Sequence, residues 1–457
     1  MGLATVAAIA CAAQFMVVLD SSIVNVALPS MKAGLGLSVN AQQWVVNGYL
    51  IAFGGLLLLA SRAGDLFGRR RLFQIGLVVF TAASLLGGLA QEGWTLLAAR
   101  FLQGAGAAAL APSSLSLIIA GHTDPRPRMR AMTWWGVVAS SAGAAGIVLG
   151  GLLTASLSWR WVMLVNVPIG GGLLIATATC LTPSHASGDR ARVDVPGAVT
   201  VTLAVVAIVY GVSVAPDHGW ASGRVLAALI AGGVLLAAFV AVERRAGEPL
   251  IPPEVFAVHN VRVGNVLSLF GGIVITTPLF FLSLYLQQVL GESALRTGVS
   301  LLPMMSVISV GVLASQRLIP MVGPRRLLLV GGLVAAAGLV WLARLPTGAG
   351  YVAHVLLPTL VVGAGMSVMI MPAVVAATTG VDPRNAGVAS GLVNMCRQLG
   401  AALGLAALVT IAATVAHHSH AGGPASAAEG YRAALLVVAA VSVVTALISF
   451  FVQETRT

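Results

Sequence analysis

Two ionisable side chains lie inside long apolar stretches of the sequence, where a charge is costly and is normally tied to an ion path or a partner. Asp20 lies about 10 residues, or roughly 14 Å, below the outer end of the first stretch, and no other carboxylate lies so deep. Burial disfavours the charged form of a carboxylate, which suits a group that must bind and release protons. A structural salt bridge or a helix cap is the alternative for Asp20.

Arg100 lies in the fourth apolar stretch at a depth near that of Asp20, and Gln103 follows three residues later on the same helical face. A cation beside Asp20 would favour the charged carboxylate and so oppose the effect of burial. Separation of this pair would then release or capture a proton. The alternative is that Arg100 snorkels from a helix end toward the membrane surface.

Other side chains within the apolar stretches are candidates for lining a substrate cavity. Arg397 lies about 10 residues into the thirteenth stretch, near the middle of a membrane, and Asn394 precedes it by one turn. Arg397 contacts a substrate or gate, or it anchors neighbouring helices through hydrogen bonds; both readings stay open. Gln103, Tyr49 and Tyr285 are further cavity candidates, although helical periodicity does not distinguish cavity lining from packing.

The sequence contains none of the short motifs of enzymes that bind nucleotides or hydrolyse substrates. We find no G-x-x-x-x-G-K-[ST], no H-E-x-x-H, no G-x-S-x-G and no cluster of carboxylates. His417, His418 and His420 lie close together in a predicted outer loop without a fixed scaffold, and the three cysteines lack metal-ligand spacing. We therefore expect neither an enzyme, nor a metal site, nor a cofactor.

The elements that position these residues must be membrane helices. The chain has 457 residues, of which 58% are hydrophobic and 9% charged, and this composition excludes a soluble enzyme, a secreted disulfide scaffold and a disordered chain. A membrane helix needs about 20 apolar residues. We predict an all-α polytopic membrane protein with 14 transmembrane helices, the first of them a retained helix and not a signal peptide. The predicted spans are 6–29, 43–61, 72–90, 95–119, 131–155, 161–182, 195–215, 224–242, 263–289, 298–316, 326–343, 352–377, 387–415 and 431–452.

The net charge of +11 reflects membrane topology and does not indicate a nucleic-acid partner. Of the 25 Lys and Arg residues, 17 fall in one alternate set of predicted loops and six in the other. Because basic loops stay in the cytoplasm, the larger set marks the cytoplasmic side. We therefore expect both termini in the cytoplasm and a multi-pass protein of the bacterial plasma membrane.

The second half of the sequence repeats the first at a nearly constant offset. Residues 62–72, RAGDLFGRRRL, match residues 317–327, RLIPMVGPRRL, 255 positions later. Two shorter matches have offsets of 258 and 259, and the second of them pairs Arg100 with Thr359. Parallel six-helix repeats are typical of transporters with a substrate site between the halves. We predict six-helix bundles at 1–183 and 263–457, a two-helix insert within 184–262, and proton chemistry in the first half.

Several motifs, in order along the chain, resemble those of the major facilitator superfamily and its 14-helix drug:proton antiporter family. They are LDSSIVNVALP at 19–29, GDLFGRRR at 64–71, RFLQGAGAA at 100–108, WRWVMLVNVPIG at 159–170, LYLQQVLG at 284–291 and RQLGAALG at 397–404. Members of that family export lipophilic drugs, quaternary ammonium compounds and antibiotics such as methylenomycin. The resemblance implies that Asp20 serves proton coupling or binds a substrate cation.

The resemblance also implies two roles for glycine-rich segments. GDLFGRRR would be a cytoplasmic loop that latches one access state, in addition to setting topology through its basic residues. The residues that the resemblance assigns to this latch are Gly64, Asp65, Gly68, Arg69 and Arg70. The fifth helix would seal the cavity through close packing at Gly146, Gly150 and Gly151, although Ile147 stands where the family has a kinking proline.

We therefore expect a secondary active transporter that exports lipophilic drugs or antibiotics by alternating access, coupled to inward proton movement. Because only one carboxylate is buried, we expect neutral or monovalent substrates. A proton-independent facilitator, or an importer of a small solute, is the alternative; it would require more polar groups toward the cavity. The expected partners are the substrate, protons and the lipid bilayer, with the protein as a monomer.

Overall fold

The computed structural model describes residues 3–121, 124–180, 194–247, 249–344, 351–382, 385–419 and 422–453. Within these ranges every regular element is a helix, and fourteen helices are long and apolar enough to cross a membrane. The predicted number of membrane helices is thereby confirmed. Most helices extend several residues beyond the predicted spans, and at two of the helix starts the hydroxyls of Ser38 and Ser293 cap the first turn.

The helices follow one another with short connections. The first half comprises α1 (Leu3–Leu35), α2 (Val39–Phe67), α3 (Arg69–Gly88), α4 (Gly93–Gly121), α5 (Pro125–Ser156), α6 (Arg160–Leu164) and α7 (Asn166–Cys180). Next come α8 (Val195–His218), α9 (Gly223–Arg245) and the short α10 (Pro253–Ala257). The second half comprises α11 (His259–Leu284), α12 (Ala294–Val322), α13 (Pro324–Leu342), α14 (Leu357–Thr378), α15 (Ala386–His418) and α16 (Pro424–Ile448). A π-helical turn, Tyr285–Val289, continues α11.

The chain forms two compact units. One contains Met1–Thr202 and Ala241–Leu250, and the other contains Leu203–Val240 and Ile251–Thr457. In the first unit α1 packs on α5, and α4 packs on α2 and α3; in the second, α11 packs on α15, and α14 packs on α13 and α12. Each unit thus repeats the same set of helix pairs, as the sequence repeat predicts.

Glycine contacts reproduce the repeat residue by residue. In α5, a Cβ at Gly150 would lie 2.6 Å from the carbonyl oxygen of Ile23; in α15, a Cβ at Gly404 would lie 2.6 Å from Cγ1 of Ile273. Likewise Gly106 of α4 lies against the backbone of Phe80, and Gly365 of α14 lies against the backbone of Ala335. Glycines therefore lie at corresponding helix contacts in both halves, as the pseudo-repeat predicts.

Residues 64–71 do not form the loop that the sequence indicates. Gly64 lies in the last turns of α2 and Arg69 begins α3, so that only Gly68 lies between the two helices. Gly68 has φ +93°, and its counterpart Gly323 has φ +85°. Residues with a side chain rarely adopt this backbone conformation, whereas glycine adopts it readily. A single glycine therefore connects the two helices in each case. The sequence suggested a loop because residues 64–71 are rich in charged side chains. Such residues also occur at helix ends, as they do here.

The sixth predicted span, 161–182, corresponds to one membrane-crossing segment, Arg160–Cys180. It consists of α6 and α7, with only Val165, which itself has helical dihedral angles, between them. Pro168 lies in the first turn of α7 and has no backbone N–H. It therefore cannot donate a helical hydrogen bond across the interruption, and none is lost there. The break places Asn166 at the very start of α7.

Candidate functional site

The carboxylate of Asp20 lies at the centre of a fully buried polar cluster in the first unit. Its side chain is 0% exposed. Oδ2 accepts a hydrogen bond of 2.6 Å from Nη1 of Arg100, and this contact is also an ion pair. Oδ1 accepts from Nδ2 of Asn166 at 2.8 Å and from Nε2 of Gln103 at 3.1 Å. Donors from α4 and α7 therefore converge on one acid of α1.

Arg100 is held on several sides although it is only 1% exposed. Its Nε donates to the backbone oxygen of Val45 at 2.9 Å, and Nη1 also donates to Oε1 of Gln103 at 2.8 Å. The guanidinium carbon lies 4.5 Å from the centre of the Tyr49 ring, in a cation–π arrangement. The Tyr49 hydroxyl in turn donates to the Val17 oxygen at 3.3 Å. The snorkelling alternative for Arg100 does not describe this geometry.

A further branch of the cluster runs through Gln103 to α3. Nε2 of Gln103 donates to Oγ of Ser84 at 2.7 Å, and Ser84 donates to the Phe80 oxygen at 2.7 Å. Asn166 keeps one unused group, because its Oδ1 is buried and has no hydrogen-bond partner among the described residues.

Small residues allow the helices to approach closely enough for these contacts. A Cβ at Gly104 would lie 2.9 Å from Cβ of Ala52 and 3.1 Å from the Phe53 nitrogen, so α4 touches the backbone of α2 directly. One helical turn away, Arg100 reaches the Val45 carbonyl across the same contact. Asn166, the first residue of α7, donates to Asp20 from that helix. The cluster is thus assembled by α1, α2, α3, α4 and α7.

The cluster is electrically balanced, and its chemistry follows from this balance. Asp20 and Arg100 have opposite charges, and the neighbouring amides act only as donors to the carboxylate. Three side-chain donors thus hold the carboxylate, and its release requires that these hydrogen bonds break.

The candidate residues of the second unit lie in α15 and in the π turn that continues α11. Nη2 of Arg397 donates to Oδ1 of Asn394 at 2.8 Å, and Nδ2 of Asn394 donates to the Ser390 oxygen at 3.1 Å. Arg397 also lines a small cavity. Tyr285 is fully buried, as the first residue of the π turn. The structure brings Arg397 and Asn394 together, but it does not bring either of them to Tyr285 by a described contact.

The remaining candidates lie at helix ends or in helix contacts. Nη2 of Arg70 donates to the Ala178 oxygen of α7 at 3.2 Å. Gly146 and Gly150 face α1, where the atoms opposite them belong to Leu19, Ser22 and Ile23. Gly151 is buried in the same helix, and the side chain of Asp65 lies outside the described part of the chain. His417 and His418 end α15 instead of lying in a loop, and His420 lies outside the described residues.

Sequence reasoning missed three members of the Asp20 cluster, namely Ser84, Asn166 and the Val45 carbonyl. Ser84 and a backbone carbonyl carry no signal in a single sequence. Asn166 does carry a signal, because it is an amide in the motif WRWVMLVNVPIG, two residues before Pro168. The structure shows that this amide is buried.

Comparison with known proteins identifies the family of the chain. Residues 10–405 match the Major Facilitator Superfamily. The puromycin resistance protein pur8 of Streptomyces alboniger is 42% identical, over 98% of this chain and 90% of its own length. The cephamycin export protein CmcT of Amycolatopsis lactamdurans is 40% identical, over 99% and 93%. A crystal structure of a D-xylose–proton symporter, 15% identical, covers 99% of each chain with a TM-score of 0.71. The chain therefore belongs to the major facilitator superfamily, a family of membrane transporters.

Proposed function

We propose that this transporter exports a lipophilic antibiotic or drug and that inward movement of protons drives the export. Two relatives named for puromycin resistance and cephamycin export, which match nearly the whole chain, support export as the direction and antibiotics as the substrates. The observation that carries proton coupling is the buried Asp20–Arg100 pair within membrane helices, with its N···O distance of 2.6 Å.

The mechanism starts from the closed cluster, in which three side-chain donors hold the ionised Asp20. When the first unit changes conformation, α4 shifts relative to α1 and Arg100 leaves the carboxylate. Asp20, still buried, then binds a proton from the outer side, because an isolated charge in this place is costly. Return of Arg100 expels the proton toward the cytoplasm.

Alternating access links this cycle to the substrate. Residues 1–183 and 263–457 would expose a central site to each side in turn. At the cytoplasmic end, the segment Gly64–Arg70 would stabilise one state through helix-end contacts such as that of Arg70 with α7. Both termini would lie in the cytoplasm, in accord with the distribution of basic residues.

Proton flux in vesicles tests this proposal. Purified protein is reconstituted into vesicles with an imposed pH gradient and an internal pH dye, and puromycin, a cephamycin and neutral lipophilic compounds are added in turn. We expect some compounds to discharge the gradient through the wild type and none through Asp20→Asn. The matched control is Glu254→Gln, which removes an exposed carboxylate at the start of α10, outside the membrane spans, and should behave like the wild type.

Three outcomes would contradict the proposal. Movement of labelled compound through the wild type without proton flux would favour a facilitator. Proton-coupled uptake in the inward direction would favour an importer. Coupled export by Asp20→Asn would place the proton site elsewhere.

A further inference from the structure

A second arginine within the membrane helices, Arg397, differs from Arg100 in having no negative partner among the described residues. It lies half-buried in α15, one-third of the way along the helix. No carboxylate of the described residues lies within 4.0 Å of its guanidinium. Its one hydrogen bond goes to the neutral Asn394. An uncompensated cation within a membrane span is costly, and such residues normally serve a substrate or ion.

Asn394 orients this cation without neutralising it. The amide oxygen of Asn394 receives one guanidinium N–H at 2.8 Å, while its own amide nitrogen is bound to the Ser390 carbonyl. A guanidinium has five N–H donors in a rigid fork that matches a carboxylate in two-point contact. Four of these donors have no described partner. Arg397 is therefore both fixed in place and available.

Arg397 also lines a cavity of about 20 Å³ within the second unit, whose exposed wall atoms are almost all apolar. Most of the lining comes from apolar side chains and one glycine of α11, α13, α14 and α15. Ser268 and Thr445 also line it, but their hydroxyls donate to carbonyls of their own helices, at 2.7 and 2.8 Å. Arg397 is the one charged residue among those that line this cavity.

The repeat shows that this cation is not a packing requirement of the fold. Gly400 and Gly404 of α15 lie against Leu269 and Ile273 of α11, as Gly146 and Gly150 of α5 lie against Leu19 and Ile23 of α1. The two glycine pairs are related by an offset of 254. At this offset the counterpart of Arg397 is Gly143, which has open space around it. The first half forms the same helix pair with no side chain in this place.

We propose that Arg397 anchors an anionic group, a carboxylate, of the exported substrate in this apolar cavity. Asp20 is already neutralised by Arg100, so the cluster in α1 offers a substrate no free charge, whereas Arg397 offers one positive charge in apolar surroundings. The cavity holds about one water molecule in this conformation, and a carboxylate enters as the helices around it separate during the transport cycle. Lipophilic monoanions are therefore the favoured substrates. The inference rests on the proposed export function for the substrate, but its test requires no transport.

Binding of two probes of equal shape tests the inference. Tritiated 1-naphthaleneacetate and 1-naphthaleneacetamide differ in charge and hardly in size, and their affinity for the purified full-length protein is measured by equilibrium dialysis. We expect the wild type to bind the acetate about tenfold more tightly than the amide, as charge-assisted two-point contacts require. Arg397→Gln should bind both probes equally.

A second pair of variants keeps Arg397 and so avoids the loss of a buried arginine. Met369 lines the same cavity and is 2% exposed. Met369→Glu supplies an internal carboxylate for Arg397 and should abolish the preference for the acetate, whereas Met369→Gln, of the same shape, should retain it.

Two results would overturn the inference: a wild type that shows no preference for the acetate, including no measurable binding of it, and a preference that survives in Arg397→Gln or Met369→Glu. Asp20→Asn should retain the preference. Failure of proton coupling with an intact preference would thus remove only the proposed mechanism, and loss of the preference with intact coupling only the carboxylate site.

Discussion

At the scale of residues, Asp20 depends on donors from other helices and not from its own. Arg100 and Gln103 come from α4 and Asn166 from α7, so that movement of either helix changes the state of the acid. Arg100 in turn depends on the Val45 carbonyl and the Tyr49 ring of α2. The hydrogen bonds of one carboxylate therefore depend on the positions of three neighbouring helices.

Asn166→Ala tests this dependence. Loss of this donor removes one of the three side-chain hydrogen bond partners that hold the carboxylate, so the closed cluster should be less stable. We expect the rate of coupled transport, measured in vesicles, to fall several-fold. The matched control is Asn265→Ala, because Asn265 is also buried, binds a carbonyl at 2.8 Å and has an unpartnered Oδ1. An unchanged rate for Asn166→Ala, or an equal change for the control, would contradict the role of Asn166.

The sequence was sufficient to place Asp20 and Arg100 at similar depths, because position along a membrane helix fixes depth. It was not sufficient to identify Asn166 or Ser84, since contacts between residues 146 and 19 positions apart depend on how the helices are rotated and packed. Gln103 illustrates the same limit. The sequence predicts that it shares a helix face with Arg100 and suggests that it lines a cavity. In the structure its amide is fully buried and binds Asp20 and Ser84.

At the scale of elements, the contact of α5 with α1 is set by two glycines one turn apart. Gly146 and Gly150 lie against backbone atoms of α1, directly beside the turn that carries Asp20. The family proline is replaced by Ile147, which is fully buried, and α5 runs from Pro125 to Ser156 without interruption. Close packing at this contact therefore does not need the proline kink.

Gly150→Ala should weaken this contact. The added Cβ would lie 2.6 Å from the Ile23 oxygen, so the helices must separate, and overpacking of this kind costs about 1–3 kcal/mol. We expect a lower midpoint of thermal unfolding in detergent and slower coupled transport. Gly143→Ala is the control on the same helix, because nothing lies within 4 Å of its new Cβ, and it should match the wild type. Equal lowering of the midpoint by both substitutions would contradict the role of this contact, because alanine without a clash favours a helix more than glycine does.

At the scale of the whole molecule, the two halves share their packing but not their charges. The single-glycine turns at Gly68 and Gly323 and the paired glycine contacts are common to both. The buried acid–base cluster lies in the first half. In the second half, Thr359 stands at the position that corresponds to Arg100. The repeat could be predicted from sequence because tight turns and close helix contacts require glycine at the same places in both halves. The unequal distribution of buried charge could not, because the repeat does not determine which side chains are charged.

Membrane orientation is the prediction that belongs to the whole chain. After replacement of the three native cysteines by serine, Ala221→Cys, between α8 and α9, should react with a membrane-impermeant maleimide in intact cells. Gly247→Cys, after α9, should react only after the cells are made permeable. Both positions are exposed, so accessibility does not distinguish them. The reverse pattern would place both termini outside the cell.

The neutral Asp20–Arg100 pair and the single positive charge of Arg397 together have an electrical consequence. If one proton enters for each monoanion that leaves, both ions carry current in the same direction, and two elementary charges cross the membrane per cycle. Each is worth about 2.3 kcal/mol at 100 mV. A potassium diffusion potential, imposed with valinomycin across vesicles of equal internal and external pH, should then be enough to expel the substrate. Voltage, and not acidity, would be the larger source of power for this exporter.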